Sequence, residues 1–393
     1  MSEISEAEVS LETFARQRLK RSQRFAFKAF RIFLVGHLYV GWRLLFDLPG
    51  PWGWSVAGAA VLAATALLIP FGTFSRVFVA DPKLVDRLVW AGGIAMGWFS
   101  SLLILTILRD VAFLLPATRD YAAQSALLVI TLSLLVTVIG FANARRVAKV
   151  VRVSIPLQNL PAALEGFTIA QISDLHVGPT IKRPYVQRVV DRVNSLAPDM
   201  VALTGDIVDG KVSSLAEDVA PLEELSAAHG AYLVTGNHEY YHGVDAWIPE
   251  FERLGIQVLG NRHVLIARED AQIAVAGIHD FSANRSSHPH VSDAAAALAE
   301  APMNTPKIML AHQPRSAPAV AAAGADLQLS GHTHGGQIWP WNYLVRFQQP
   351  FTAGLHREAG MWVYISRGTG YWGPPKRLGA PSEITLITLT RAS

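Results

Sequence analysis

The chain has 393 residues and a formal net charge of +3, a length that suits two or three domains at roughly 150 residues each. Hydrophobic residues make up 51% and charged residues only 17%, against about 25% charged in ordinary soluble domains, so part of the chain is expected in lipid and intrinsic disorder is excluded. No cysteine is present, which excludes a disulfide scaffold, a Cys-ligated zinc and thiol catalysis.

In chain order, residues 1–28 are first acidic (Glu3, Glu6, Glu8, Glu12) and then basic (Arg16, Arg18, Lys20, Arg21, Arg24, Lys28). A basic run abutting apolar sequence reads as an anchor on anionic headgroups at the cytoplasmic face. Ser22–Lys28 lacks the paired arginine of an export signal, and several apolar runs follow, so no cleavable leader is expected. Region 29–144 reads as a bundle of four transmembrane helices. Three uncharged stretches, Leu48–Ser75, Leu88–Leu108 and Tyr121–Ala144, reach the ~20 residues needed to cross the hydrocarbon layer. A fourth, Ile32–Trp42, reaches that length only by enclosing Arg31 and Arg43, which would snorkel outward. Gly58, Gly92, Gly93 and Gly97 suit close helix packing in lipid.

Charge asymmetry sets the orientation. The basic N-terminal run, the loop with Arg76, Lys83 and Arg87, and the cluster Arg145, Arg146, Lys149 and Arg152 are expected inside. Both ends inside requires an even number of crossings, so four spans are expected in the inner membrane, with the remainder of the chain in the cytoplasm.

Region 145–165 reads as a basic linker, and 166–393 as an α/β domain. Its predicted strands are Thr168–Ser173, Met200–Thr204, Ala231–Thr235, Ile256–Leu259, Ile273–Ala276, Lys307–Ala311, Asp326–Ser330, Trp362–Ser366 and Ile384–Leu389. Amphipathic stretches such as Pro184–Leu196 and Leu215–Ala228 lie between the early ones. Twelve of the 13 histidines fall beyond residue 170, His37 being the exception. Membrane and chemistry thus occupy different parts of the chain.

Five of these runs end in polar residues of one chemical kind: Asp174 and His176; Asp206 and Asp209; Asn237, His238 and Glu239; His312; His332 and His334. Ligand sites in α/β sheets form at the carboxyl ends of strands, so convergence on one point is expected. Imidazoles, carboxylates and an amide oxygen suit divalent ions such as Mn²⁺, Fe²⁺, Zn²⁺ or Mg²⁺. Seven candidate ligands exceed what one open catalytic ion takes. Two ions sharing a carboxylate accommodate them, and such pairs catalyse in-line phosphoryl displacement.

Asp174-x-His176, Gly205-Asp206-x-x-Asp209, Gly236-Asn237-His238-Glu239, His312 and Gly331-His332-Thr333-His334 resemble, in composition and order, the calcineurin-like metallophosphoesterases, and in wording the bacterial membrane-associated or exported branch. The resemblance covers Val151 to the C-terminus. It implies two packed β-sheets flanked by helices and two divalent ions, manganese first among the candidates. One ion would be held by Asp174, His176, Asp206 and His334. The other would be held by Asp206, Asn237, His312 and His332, with Asp206 bridging. His238 would be the catalytic histidine, and a hydroxide bridging the ions the nucleophile.

Other residues carry less. Asp209 and Glu239 read either as groups that orient ligands or as solvated turn carboxylates. Arg367 and Arg377 read as substrate-phosphate contacts or ordinary surface arginines. Tyr240, Tyr241 and His242 read as pocket lining or packing, and His279 and Asp280 as the edge of the site. His263, His288 and His290 read as surface residues. Trp339, Trp341, Tyr343, Phe347 and Phe351 follow the last motif closely, as a lid, an interfacial loop or core packing.

The function expected is a membrane-anchored, two-metal phosphodiesterase or pyrophosphatase acting on a lipid-linked phosphate. Family members resembling UDP-2,3-diacylglucosamine hydrolases, which cut a lipid A precursor, illustrate that class. The alternatives are a phosphodiesterase or phosphoprotein phosphatase with a soluble substrate, and a non-catalytic membrane scaffold. The lipid bilayer is an expected partner and nucleic acid is not, because the basic residues cluster beside the membrane. A transport path is disfavoured, since no expected span carries the buried Asp, Glu or paired charges such a path usually needs.

Overall fold

The structure, a computed structural model, describes residues 30–285 and 288–392. The chain divides into two units at Thr137/Val138. The N-terminal segment 1–28, with its acidic and basic runs, lies outside the described residues.

The first unit is helical. Helix α1 covers 30–45, α2 Trp52–Phe78, α3 Pro82–Ala112, and α4 begins at Ala122 and runs to Arg145. Among the described residues, three segments are long and apolar enough to cross a membrane: Trp52–Arg76, Pro82–Ala112 and Pro116–Arg145. The described part of α1 is shorter than the ~20 residues a span needs. Proline at the start of α3 follows an N-cap, Asp81, whose carboxylate accepts the Lys83 amide at 3.0 Å, which satisfies one of the free N–H groups of the first turn. Helices α2 and α3 cross where Gly72 meets Gly92: a Cβ on Gly92 would lie 2.7 Å from the Leu68 carbonyl oxygen. Small residues at that crossing let backbone touch backbone.

Two ion pairs lie inside this unit, which corrects the expectation of spans without paired charges. Arg43 reaches Asp110 at 2.7 Å, and Tyr39 donates to the same carboxylate at 2.6 Å. Arg109 is paired with Asp47, and it also donates to the Arg43 carbonyl at 2.7 Å and the Ala122 carbonyl at 2.9 Å. The sequence hid these pairs because their members lie 62–67 residues apart.

The second unit contains two six-stranded sheets. The first has strands β1 (Lys149–Leu157), β2 (Thr168–Ile172), β3 (Met200–Leu203), β4 (Ala231–Leu233), β5 (Ile256–Val258) and β12 (Glu383–Arg391), in the order β1-β12-β2-β3-β4-β5. The second has β6 (Arg262–Arg268), β7 (Ala271–Gly277), β8 (Lys307–Leu310), β9 (Leu327–Ser330), β10 (Gly354–Glu358) and β11 (Met361–Ile365), in the order β10-β11-β9-β8-β7-β6. Strands β2 to β5 are mutually parallel, and so are β7, β8, β9 and β11.

Alternation along each strand builds the layers. Ile169, Met200, Ala202, Ile308, Leu310, Leu327, Leu329 and Ile387 fill the space between the sheets. Ala170, Ile172, Val201 and Leu203 point the other way, toward Val186, Val189, Val190 and Val193 of α5 (Arg183–Asn194) and Trp247 and Phe251 of α8 (Val244–Arg253). Met309, Val363 and Ile365 face Ala317 and Val320 of α10 (Ala317–Ala322). Strands buried on both faces read as continuous apolar runs, which is why the central ones were legible.

The edges were not. The segment expected as a basic linker over 145–165 contains β1, which pairs in parallel with β12 from Lys149↔Glu383 to Leu157↔Arg391. Its alternating Ile155 and Leu157 are fully buried, while Lys149 and Arg152 masked the pattern, and Pro156 is tolerated because β1 is an edge strand. Edge strands β6 and β10 are rich in charged residues and were likewise missed. Helix α6 (Val212–Val219) stops short of the predicted Ala228 because Pro221 follows it.

Candidate metal centre

The loops after β2, β3 and β4 of the first sheet and β8 and β9 of the second carry the candidate residues to one place. Backbone hydrogen bonds lock these loops together: the Asp174 amide donates to Gly205 O at 3.0 Å, His176 to Asp206 O at 3.1 Å, and Gly331 to His312 O at 2.9 Å. The fit is close enough to demand glycine. A Cβ on Gly331 would stand 1.9 Å from Ser173 Oγ, and one on Gly236 would stand 2.2 Å from Asp206 Oδ1. Five of the candidate ligands, Asp174, His176, Asp206, His332 and His334, hold left-handed backbone angles with φ from 52° to 72°. Such conformations are costly for residues with side chains and cluster at functional sites.

Side-chain atoms converge in two sets. Asp174, His176 and His334 each offer a ligand atom within 4.8 Å of the others, and so do Asp206, His312 and His332. His176 Nε2 and His334 Nε2 are 3.0 Å apart, and His334 Nε2 lies 3.4 Å from Asp174 Oδ1. In the second set, His312 Nε2 lies 3.1 Å from Asp206 Oδ2 and 3.2 Å from His332 Nδ1. Asp206 Oδ2 is also 3.9 Å from His176 Nε2, so it stands between the sets. Asn237 is buried, and its Oδ1 meets no hydrogen-bond donor. An orphaned amide oxygen beside converging nitrogens and carboxylates fits cations in this place, because buried acceptors left without donors are otherwise rare.

The outer hydrogen bonds orient the rings. His312 Nδ1 donates to the Thr204 carbonyl at 2.7 Å, which turns Nε2 toward the centre. His176 Nδ1 is 3.0 Å from Asp209 Oδ1, which turns its Nε2 the same way. Partners of this kind typically fix ring orientation and ligand basicity. Burial pulls His332 down to about 3, so its imidazole is neutral, the form that coordinates. Asp206 is held well below the usual carboxylate range: burial opposes this, and the His312 and His238 charges overcome it.

His238 lies beside one member of each set, its ring nitrogen within 4.8 Å of ligand atoms of His176 and Asp206. Its Nδ1 is 2.5 Å from Asp209 Oδ1 and its Nε2 is 3.9 Å from Asp206 Oδ2. Burial disfavours its charged form, yet the Asp206 charge and the Asp209 bond push the imidazole up to about 9. Asp209 thus serves two rings and is no solvated turn residue. Glu239 is fully buried and accepts the backbone amides of Gly236, Asp206, Ile207 and Val208 at 2.6, 3.0, 2.8 and 3.2 Å. It shapes the turn that presents Asp206.

Both arginines are engaged by the protein. Arg367 is paired with buried Glu383 at 2.8 Å. Arg377 is 1% exposed and donates to the carbonyls of His334 (3.0 Å) and Arg367 (2.7 Å), and to that of Gly370, while its Nη2 lies 3.1 Å from His334 Nδ1. It braces the His334 loop. Of the edge candidates, the Asp280 carboxylate is engaged by Gln313 and Ser282. His279 and His290 lie 3.3 and 3.0 Å from the Tyr240 hydroxyl. Tyr241 and Trp372 flank His238, with ring centroids 5.2 and 5.9 Å away. Trp372 and Arg377's bracing role escaped the sequence, since neither belongs to a ligand motif; only the Gly/Pro-rich setting of residues 368–375 hinted at a built loop. Trp339, Trp341, Tyr343 and Phe347 are partly to largely exposed, and Phe351 packs against the core at α10.

Comparison with known proteins places this arrangement. A sequence profile described as calcineurin-like phosphoesterase matches residues 167–336. A Danio rerio protein named transmembrane protein with metallophosphoesterase domain is 38% identical over 284 residues, 70% of this chain and 65% of the relative. An uncharacterised metallophosphoesterase of Campylobacter jejuni is 32% identical, covering 66% of this chain and 68% of its own length. One from Aquifex aeolicus is 31% identical, covering 61% and 91%. The chain thus spans about two thirds of the length of the transmembrane relative.

Proposed function

The chain belongs to the calcineurin-like phosphoesterase family, and from that premise we propose that it is a membrane-anchored phosphoester hydrolase that works with two divalent ions. The observation carrying this reading is the convergence of Asp174, His176, Asp206, His312, His332 and His334 around an orphaned Asn237 Oδ1. Asp174, His176, Asp206 and His334 would hold one ion; Asp206, Asn237, His312 and His332 would hold the other. The mixed oxygen and imidazole donors suit manganese, iron or zinc. Bound ions of this kind supply Lewis-acid stabilisation of phosphoryl oxygens and ionise water near neutral pH.

The chain's own contribution centres on His238. Asp209 fixes its Nδ1, so Nε2 faces the centre with a proton to give. In a displacement at phosphorus, His238 Nε2–H would donate to the departing oxygen as general acid. Asp209 would keep that ring and His176 in register.

The finer proposal is a diester or pyrophosphate substrate that carries an acyl chain and is met at the membrane surface. It is supported by three membrane-length helices and by the exposed Trp339, Trp341, Tyr343 and Phe347, since tryptophan and tyrosine favour the membrane–water boundary. The cytoplasmic face of the inner membrane, and α1 as a fourth span, complete the proposal on the charge asymmetry of the loops. The test is hydrolysis by the purified, Mn²⁺-supplemented chain of p-nitrophenyl mono- and diesters and of glycerophospholipids. Turnover of diesters, with phospholipid preferred over the soluble ester and the preference lost in Trp339→Ala/Trp341→Ala, is expected. A metal-loaded chain that cleaves none of them contradicts the hydrolase reading. Reporter fusions after Arg152 check the orientation, with cytoplasmic activity expected.

A further inference from the structure

We infer that Tyr241 and Trp372 select the leaving group of the substrate, favouring an apolar alcohol, and that Gln337 is the positioning residue that holds Trp372 for this task. The inference rests on the hydrolase reading above.

Three observations carry it. Tyr241 lies one helical turn after His238 on α7 (Asn237–His242), its ring 5.2 Å from the imidazole and tilted by 59°. Trp372 approaches the same imidazole edge-on, at 5.9 Å and 78°. Both rings are largely exposed, 67% and 55%, whereas Trp247, Tyr185, Tyr364 and Tyr371 of the same domain are buried. Large exposed apolar groups beside a reacting centre are more telling than buried ones, which packing already explains.

Trp372 is also held from behind. Gln337 Nε2 donates to the Trp372 carbonyl at 2.8 Å and to the Pro374 carbonyl at 3.2 Å, and the Trp372 amide donates to Gln337 Oε1 at 2.9 Å. Gln337 is buried and three residues beyond His334, whose carbonyl accepts the Gln337 amide at 3.0 Å. One amide side chain therefore ties the loop bearing Trp372 to the loop bearing a candidate metal ligand. That is more fixing than an exposed tryptophan needs for packing alone.

The chemistry assigns the side of phosphorus. Water oxygen forms the new bond to phosphorus and releases one proton to solvent, the bond to the ester oxygen breaks with its electron pair on that oxygen, the His238 Nε2 proton neutralises it, and His238 regains a proton from solvent. The departing oxygen consequently lies at His238, and the carbon skeleton attached to it leaves past Tyr241 and Trp372. Aromatic faces there stabilise an apolar leaving alcohol, whether a flat ring or an acyl chain, by about 3–10-fold per ring.

The test measures release of 2-naphthylethanol, decanol and ethanol from their methyl phosphodiesters, with the full-length chain in detergent and Mn²⁺. These alkoxides have similar basicity, so apolar surface is the main variable. The wild type is expected to favour at least one of the two larger alcohols over ethanol by about 10–100-fold in kcat/KM. Preference for naphthylethanol alone identifies a ring, and equal preference for decanol identifies a chain. Trp372→Ala and Tyr241→Ala are each expected to shrink the preference ~3–10-fold, with metal content retained; Trp372→Gln replaces the alanine variant if that fails to fold. Gln337→Met keeps the volume and removes the amide contacts, and is expected to shrink the preference as much as Trp372→Ala does, with no additional loss in the double variant. A wild type that cleaves bis-p-nitrophenyl phosphate but shows no preference, or variants with unchanged preference, overturns the inference while leaving the hydrolase reading intact. A wild type that cleaves neither the alkyl diesters nor bis-p-nitrophenyl phosphate overturns the hydrolase reading itself.

Discussion

In the helical unit, Arg43 meets Asp110 and Arg109 meets Asp47, so charges brought among helices find their opposites inside the same unit. In the α/β domain, imidazole nitrogens of His176 and His334 face each other at 3.0 Å and the Asn237 amide oxygen meets no donor. The first arrangement is complete as protein. The second leaves an amide oxygen without a donor beside converging imidazoles and carboxylates, a donor set that cations would complete. Buried polar side chains therefore signify architecture in one unit and chemistry in the other, and the partner of each group decides which.

This contrast can be broken most severely at His238. Replacing it with alanine removes the proposed acid but no ligand, so kcat is expected to fall ~10²–10⁴-fold with metal content unchanged by elemental analysis. Loss of metal would move His238 into the ligand set. Asp209→Asn, which loosens two rings at once, is expected to cost roughly 10–100-fold in activity or metal affinity, measured by turnover against added Mn²⁺. An unchanged titration would leave Asp209 a bystander.

Smaller effects probe the helical side. Asp110→Asn leaves Arg43 without its charge partner, and a destabilisation of about 1–3 kcal/mol is expected, read as a lowered thermal midpoint in detergent. A double-mutant cycle with Arg43→Gln isolates the pair; the hydrolysis rate per folded molecule should not follow it. An effect of the same size and opposite sign is expected at Lys376, which is buried and whose ammonium burial pulls down to about 8. Between about 8 and its ordinary value near 10.5 the unfolded chain binds more protons than the folded one, so stability rises with pH across that window. Lys376→Met is expected to flatten that rise and to stabilise the chain at pH 7 by ~1–3 kcal/mol. A steeper pH dependence in the variant would contradict the assignment.

What the sequence revealed follows the same division. Asp174, His176, Asp206, Asn237, His312, His332 and His334 were readable because each sits directly after a strand buried on both faces, so ligand type and local pattern coincide. Strand β1 was not, because Lys149 and Arg152 interrupt its alternation and its pairing partner β12 lies more than 200 residues away. Arg377 escaped for a related reason: its partners are carbonyls of His334, Arg367 and Gly370, and a carbonyl leaves no trace in residue identity. The pairs Arg43–Asp110 and Arg109–Asp47 depend on helix packing and were equally silent. Gly236 and Gly331 carry no side chain to read, yet the contacts a Cβ would make show that they set how closely the strand ends approach.

The most direct test of the two-metal centre is the number of ions per chain. Purified wild-type protein equilibrated with Mn²⁺ and freed of excess should retain two per chain by elemental analysis. Asp206→Asn, which alters the one carboxylate positioned between the two sets, should retain fewer than one and lose turnover. Two ions in the variant with a normal rate, or an active wild type holding none, would contradict the account.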